Sequence, residues 1–164
     1  KKRWLIPIEW KFTEFYGNKD KSKEDRRGEA KGTNGKGEER LKRYSVLIDE
    51  SSQLKSLKSY AGSVYYQEPF YQLMRQTLWA ENIVKHKSTE VMVADDYLHI
   101  HVIPEGNRDL LDKRYKVSGK GMEETWREML ANQSKYVIIT PKKLMEPVAP
   151  RYPELTSYLM RRYW

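Results

Sequence analysis

The chain of 164 residues contains no cysteine. That absence excludes disulfides and thiolate metal centres and suits a reducing, intracellular and cytoplasmic setting. No apolar run reaches membrane-spanning length and no secretory leader is visible, so a membrane role is not indicated. A phosphate-cradling glycine loop, a dinucleotide-binding glycine fingerprint and internal repeats are all lacking. Histidine and phenylalanine are scarce, at three each, whereas 12 Tyr and 5 Trp are enough for stacking surfaces as well as a core.

What is present fits one globular domain over residues 1–164. Hydrophobic content of 38% and charged content of 33% suit a packed interior with polar insertions. The net charge of +8 is unevenly placed: residues 1–43 carry 14 Lys or Arg against 8 Asp or Glu. A surplus of that kind suits a phosphate-backbone partner, and a solvated, solubilising charge run equally well.

The stretch Arg3 to Glu14 reads as a strand, rich in β-branched and aromatic residues. Alternation puts Glu9, Lys11 and Thr13 on one face and Ile8, Trp10 and Phe12 on the other. Charges in an apolar strand are costly unless they pair or bind something. Two readings stand: an ion pair at the strand's wet end, or a metal site. In the second, Glu9 ligates a divalent cation and Lys11 steadies the attacking water or the developing phosphorane charge.

Further along, Gly17 to Arg43 has almost no apolar residue and reads as a mobile insertion within the domain. Tyr44 to Asp49 is a short strand or the start of a helix, and Ser51 or Ser52 is placed to cap a helix running to about Tyr60. The longest helix is expected from Glu68 to Lys87. One stripe holds Phe70, Leu73, Met74, Thr77, Leu78, Ala80 and Val84, and an opposite one holds Gln72, Gln76, Trp79 and Ile83. Residues 97–103 alternate cleanly, with His99 and His101 sharing a face. Two such histidines suit a transition metal, but no third ligand stands at a diagnostic spacing, and a face packed against a helix accounts for them better. Arg108 to Gly121 reads as irregular, Met122 to Asn132 as a helix with Trp126, Met129 and Leu130 inward, Tyr136 to Thr140 as a strand, and Glu154 to Arg162 as a last helix.

Glu9-Trp10-Lys11 at the end of an apolar strand, the run Pro69 to Glu81, and Tyr97 to Pro104 together resemble a bacterial family within the PD-(D/E)XK, or restriction-endonuclease-like, superfamily. The resemblance extends from about Arg3 to Ile139. It implies an α/β fold with a mixed sheet flanked by helices, and metal-dependent hydrolysis of DNA phosphodiester bonds. It implies Mg²⁺ or Mn²⁺ held by Glu9 and the main-chain carbonyl of Trp10, with Lys11 orienting or deprotonating the nucleophilic water. Gln67, followed by Tyr71 in a Gln-x-x-x-Tyr spacing, and Gln72 are the candidate catalytic glutamines, with Gln76 a rival. Arg26, Arg27, Lys42, Arg43, Lys113 and Arg114 are the candidate nucleic-acid contacts. The superfamily's first acidic residue sits on the strand before the Glu-x-Lys strand. A chain beginning at Lys1 is therefore expected to lack its first helix and strands, leaving Glu14, Asp49, Glu50, Glu68, Asp95 or Asp96 to stand in. Two alternatives remain: a catalytically silent nucleic-acid-binding module of the same fold, and an interaction protein in which Glu9 and Lys11 are a plain ion pair.

Overall fold

A computed structural model describes residues 1–11, 13, 14, 16, 17, 19–24 and 35–163. The expected first strand is present but divided. Pro7, which has no amide proton, separates β1 (Trp4–Leu5) from β2 (Ile8–Trp10). Each half joins a different sheet. β1 pairs in parallel with β3 (Asp96–Tyr97), whereas β2 pairs in parallel with β4 (His99–Val102). β5 (Tyr136–Ile139) pairs in parallel with the other edge of β4, giving the order β2-β4-β5. This is an α/β architecture of parallel sheets flanked by helices, and antiparallel pairing among the described residues is confined to two isolated bridges.

Between β2 and β4 lie α1 (Lys36–Asp49) and α2 (Phe70–Lys85); α3 (Arg108–Leu111) and α4 (Met122–Glu128) lie between β4 and β5. After β5 come α5 (Pro141–Met145) and α6 (Pro153–Tyr163). The core is aromatic. Phe70 meets Tyr115 edge-on at 4.7 Å, and Trp126, fully buried, lies within 6.5 Å of Tyr65, Phe70 and Tyr136. Six tyrosines and Trp126 thus serve as interior, with edge-to-face contacts adding to their area burial, whereas Trp4, Trp79, Tyr152 and Tyr158 are exposed.

Several expectations change. Lys36 to Arg43, assigned to the insertion, form the first half of α1, so Tyr44 to Asp49 is helix and not strand. Residues 19–24 are also tied down: Lys21 N–H donates to the Tyr66 carbonyl at 2.7 Å, and Arg40 reaches the Glu24 carboxylate at 2.7 Å. A side chain at Gly37 would collide with the Ser22 carbonyl, so the missing Cβ is what lets this segment lie against α1. The helix expected from Ser51 to Tyr60 does not form. Instead the Ser51 hydroxyl closes a tight turn by accepting from Gln53 and Leu54 N–H, and Leu54 bridges to Leu130. Asn107 caps α3 within the stretch read as irregular, and Pro141, read as ending the last strand, also opens α5.

Candidate functional site

In open α/β sheets the rim beyond the carboxyl ends of the parallel strands is where ligands settle. Here Trp10, Val102 and Ile139 stand in register at that rim. Lys11 N–H continues the ladder by donating to the Val102 carbonyl at 2.9 Å, so Glu9 and Lys11 share a face at the strand's end. Alternation then turns the Trp10 carbonyl toward the edge away from β4.

Helix α2 covers this face and meets the pair side chain by side chain. Gln76 Nε2 donates to Glu9 Oε2, and Lys11 Nζ donates to Gln72 Oε1 at 2.6 Å. Lys11 Nζ also lies 2.5 Å from Glu9 Oε1 and 5.2 Å from the centre of the Tyr16 ring. Lys11 is buried, while the Glu9 side chain keeps 18% of its surface. Burial works against the Lys11 charge, yet hydrogen bonds to Glu9 and Tyr16 outweigh it and raise its pKa. Burial also raises the Tyr16 pKa, against the pull of Lys11.

Glu9 stands beside His101 in the sheet register. His99 and His101 are fully interior, His101 Nδ1 sharing a 2.8 Å hydrogen bond with the Tyr136 hydroxyl. Burial lowers His99 to about 4, partly opposed by Glu9. Burial, with His99 and Lys11 adding to it, lowers His101 to about 3. Both are neutral packing residues beneath the site. Among the described residues no group of three or more His, Cys, Asp or Glu side chains is placed to hold a metal ion.

The profile of a protein family described as "restriction endonuclease associating with ARP" matches residues 1–164. The chain belongs to this family. No curated protein and no solved structure matches it.

Within this restriction endonuclease family member, the expected site residues divide. Glu9, Lys11 and Gln72 come together, joined by Gln76, which the sequence left as a rival. Gln67 turns to the Gly62 carbonyl at 3.5 Å and makes no hydrogen bond to the pair. Tyr71, its expected companion, packs edge-on against Tyr44 in the interior. Lys42 and Arg43 are exposed on α1, and Arg114 is exposed beyond α3. Lys113 donates to the Tyr16 carbonyl, which places this candidate contact beside the residue that lies under Lys11. Arg26 and Arg27 lie outside the described residues.

Mg²⁺ takes hard oxygen ligands, binds through one or two carboxylates and keeps several waters. The Glu9 carboxylate, which keeps some solvent access, and the Trp10 main-chain carbonyl, both at the end of β2, are oxygens of that kind. The donor set fits a water-rich Mg²⁺ or Mn²⁺.

Proposed function

We propose that this chain is a metal-dependent nuclease that hydrolyses DNA phosphodiester bonds, with Glu9 and Lys11 at its centre. The single observation that carries the reading is the Glu9–Lys11 pair: a carboxylate and an ammonium 2.5 Å apart at the rim of a parallel sheet, in a member of a restriction endonuclease family. Glu9 and the Trp10 carbonyl would hold Mg²⁺, which supplies charge neutralisation at the phosphate. Lys11 donates protons of its ammonium group to orient the attacking water and to stabilise negative charge developing on the phosphoryl oxygens. Gln72 holds the Lys11 ammonium, and Gln76 holds the Glu9 carboxylate against rotation. Lys42, Arg43, Lys113 and Arg114, with Arg26 and Arg27, supply the positive surface for the DNA backbone.

A second reading is a nucleic-acid-binding module without chemistry. It draws on one feature: both Glu9 oxygens are already engaged, one by Lys11 and the other by Gln76. Manganese titration of wild type, Glu9→Gln and Lys11→Ala, run beside a plasmid-cleavage assay, separates the two. The nuclease reading expects Glu9→Gln to lose both Mn²⁺ binding and cleavage. It expects Lys11→Ala to keep the metal and lose cleavage, because removing a neighbouring cation does not weaken a cation site. Undiminished Mn²⁺ affinity in Glu9→Gln would end the nuclease reading of this strand.

A further inference from the structure

Helix α2 carries a stripe that continues past the two glutamines holding the pair. Gln72, Arg75, Gln76, Trp79, Asn82 and His86 recur at three- and four-residue spacing, so they share one face of the helix. That face is one wall of an open groove, and the second half of α1, with Tyr44 and Leu47, is the other. The two helices run in the same direction along it. Tyr44 meets Tyr71 at 5.9 Å at one end, and the Ser51 hydroxyl reaches the Glu81 carboxylate at the other. The Tyr44 end opens at the candidate centre, because Gln72 there accepts from Lys11 and Gln76, one turn on, donates to Glu9.

The groove combines an open ring with uncommitted cations. Trp79 is 44% exposed and Leu47 42% exposed, which leaves a large apolar surface to solvent on both walls. Arg75, one turn before Trp79, lies over the Tyr71 ring at 5.6 Å and makes no ion pair among the described residues. On α1, Arg43 stands exposed one turn before Leu47, at the end nearest the centre. The acids stand at the far end. Glu81 is occupied by the Ser51 and Ser52 hydroxyls and the Ser52 N–H, and Glu50 follows the last turn of α1. Lys85, also at that end, makes no ion pair among the described residues. The groove is thus positive beside the centre and keeps its acids away from it, which complements a polyanion entering there.

An indole face beside a guanidinium suits nucleic acid whose bases are unstacked: the ring takes a base and the cation a phosphate. A continuous duplex offers no such base face, because its bases already stack on one another. We propose that the groove between α1 and α2 binds an unpaired stretch of DNA leading into the candidate centre, with a base stacked on Trp79 and backbone phosphates at Arg75 and Arg43. The proposal rests on the DNA-directed part of the reading above and adds the form of the strand.

The test is DNA binding by the full chain in EDTA, which reads the groove apart from any metal. A single-stranded oligonucleotide carrying 2-aminopurine is compared with the same sequence as a blunt duplex. Anisotropy gives the affinity, 2-aminopurine emission reports stacking, and thermal melting checks each variant. Wild type is expected to bind the single strand about tenfold more tightly than the duplex, with the emission quenched. Trp79→Leu is expected to weaken single-strand binding roughly tenfold, the scale of one base stacked on an aromatic ring, and to lose the quench. Trp79→Phe, which keeps a ring, is expected to stay within about threefold of wild type, and Trp4→Leu, which removes an exposed indole on β1, within about twofold. If Trp79→Leu does not fold, photocrosslinking of bromouracil-substituted single strand to wild type decides. The crosslinked peptide is expected to contain Trp79, and one mapped elsewhere overturns the proposal. Wild-type affinity in Trp79→Leu, the result if the groove holds a protein instead, overturns it. Equal affinity of wild type for the two DNA forms, or an equal loss in Trp4→Leu, does so too. These results leave the metal test of Glu9 untouched, whereas a wild-type chain that binds neither form of DNA overturns the reading of this chain as DNA-directed as well.

Discussion

Gln76 gives its side-chain amide to Glu9 across 67 positions of sequence, and that contact fixes Oε2 of the candidate carboxylate. Gln72, one turn earlier, accepts from the Lys11 ammonium through its Oε1. Neither charged group of the pair is left to find its own rotamer.

Replacing Gln76 with Leu keeps the volume and removes the donor. Turnover on saturating DNA is expected to fall about 10- to 100-fold, the usual cost of losing a partner that orients a metal-ligating side chain. The melting temperature serves as the control for folding. Wild-type turnover in Gln76→Leu would show that the contact does not position Glu9.

The buried histidines make stability depend on pH. Their folded pKa values, about 4 for His99 and about 3 for His101, lie below the ordinary histidine value of about 6.5. A base whose pKa is depressed on folding binds protons better when unfolded, so its contribution is complete above the unfolded pKa and is lost as pH falls toward the folded one. Between pH 7 and pH 5 each histidine is expected to cost roughly 2 kcal/mol of stability. Urea unfolding at the two pH values measures it. His101→Gln, which cannot titrate, should remove about half of the drop.

At Gly37 the expected change is steric. Gly37→Ala drives a methyl group into the Ser22 carbonyl and should destabilise by about 1–3 kcal/mol, seen as a lower denaturant midpoint with an unchanged slope. An unaffected midpoint would show that residues 19–24 do not pack on α1.

DNA affinity should fall linearly against salt on logarithmic axes. Lys42 and Arg43 are exposed on α1, and changing both to Ser should reduce the slope by roughly two units, close to one per phosphate contact. An unchanged slope would return them to ordinary solvated surface.

The elements legible in the sequence are those whose pattern is dictated by burial. The alternation at residues 97–103, expected as one strand, is divided between Tyr97 at the end of β3 and β4, with His99, His101 and Ile103 buried, and α2 lies within its expected bounds because Phe70, Leu73, Met74 and Ala80 form a buried stripe. The first half of α1 was not legible. Its residues carry no apolar stripe, and the helix is anchored from elsewhere, by Arg40 on Glu24 and by the close approach at Gly37. The Ser51 region failed for the opposite reason: a plausible capping serine is used in a tight turn, and the Glu81 carboxylate of α2 takes the Ser51 and Ser52 hydroxyls. Of the candidate site, Glu9 and Lys11 stand out as charges in an apolar run. The choice among Gln67, Gln72 and Gln76 was not written locally, because it depends on how α2 crosses back over β2.

That crossing has a consequence for synthesis. Among the described strands, β1 pairs with β3 and β2 pairs with β4, partners some ninety residues later in the chain. Parallel strands gain their hydrogen bonds only after the intervening chain has been laid down. On the ribosome, Glu9 and Lys11 therefore emerge some ninety residues before Val102 and have no ladder to align them until it follows, and the two glutamines on α2 have no aligned carboxylate or ammonium to grip before then. The pair is made well before β4 and aligned only after it, so a half-made chain carries the candidate centre's side chains without their geometry.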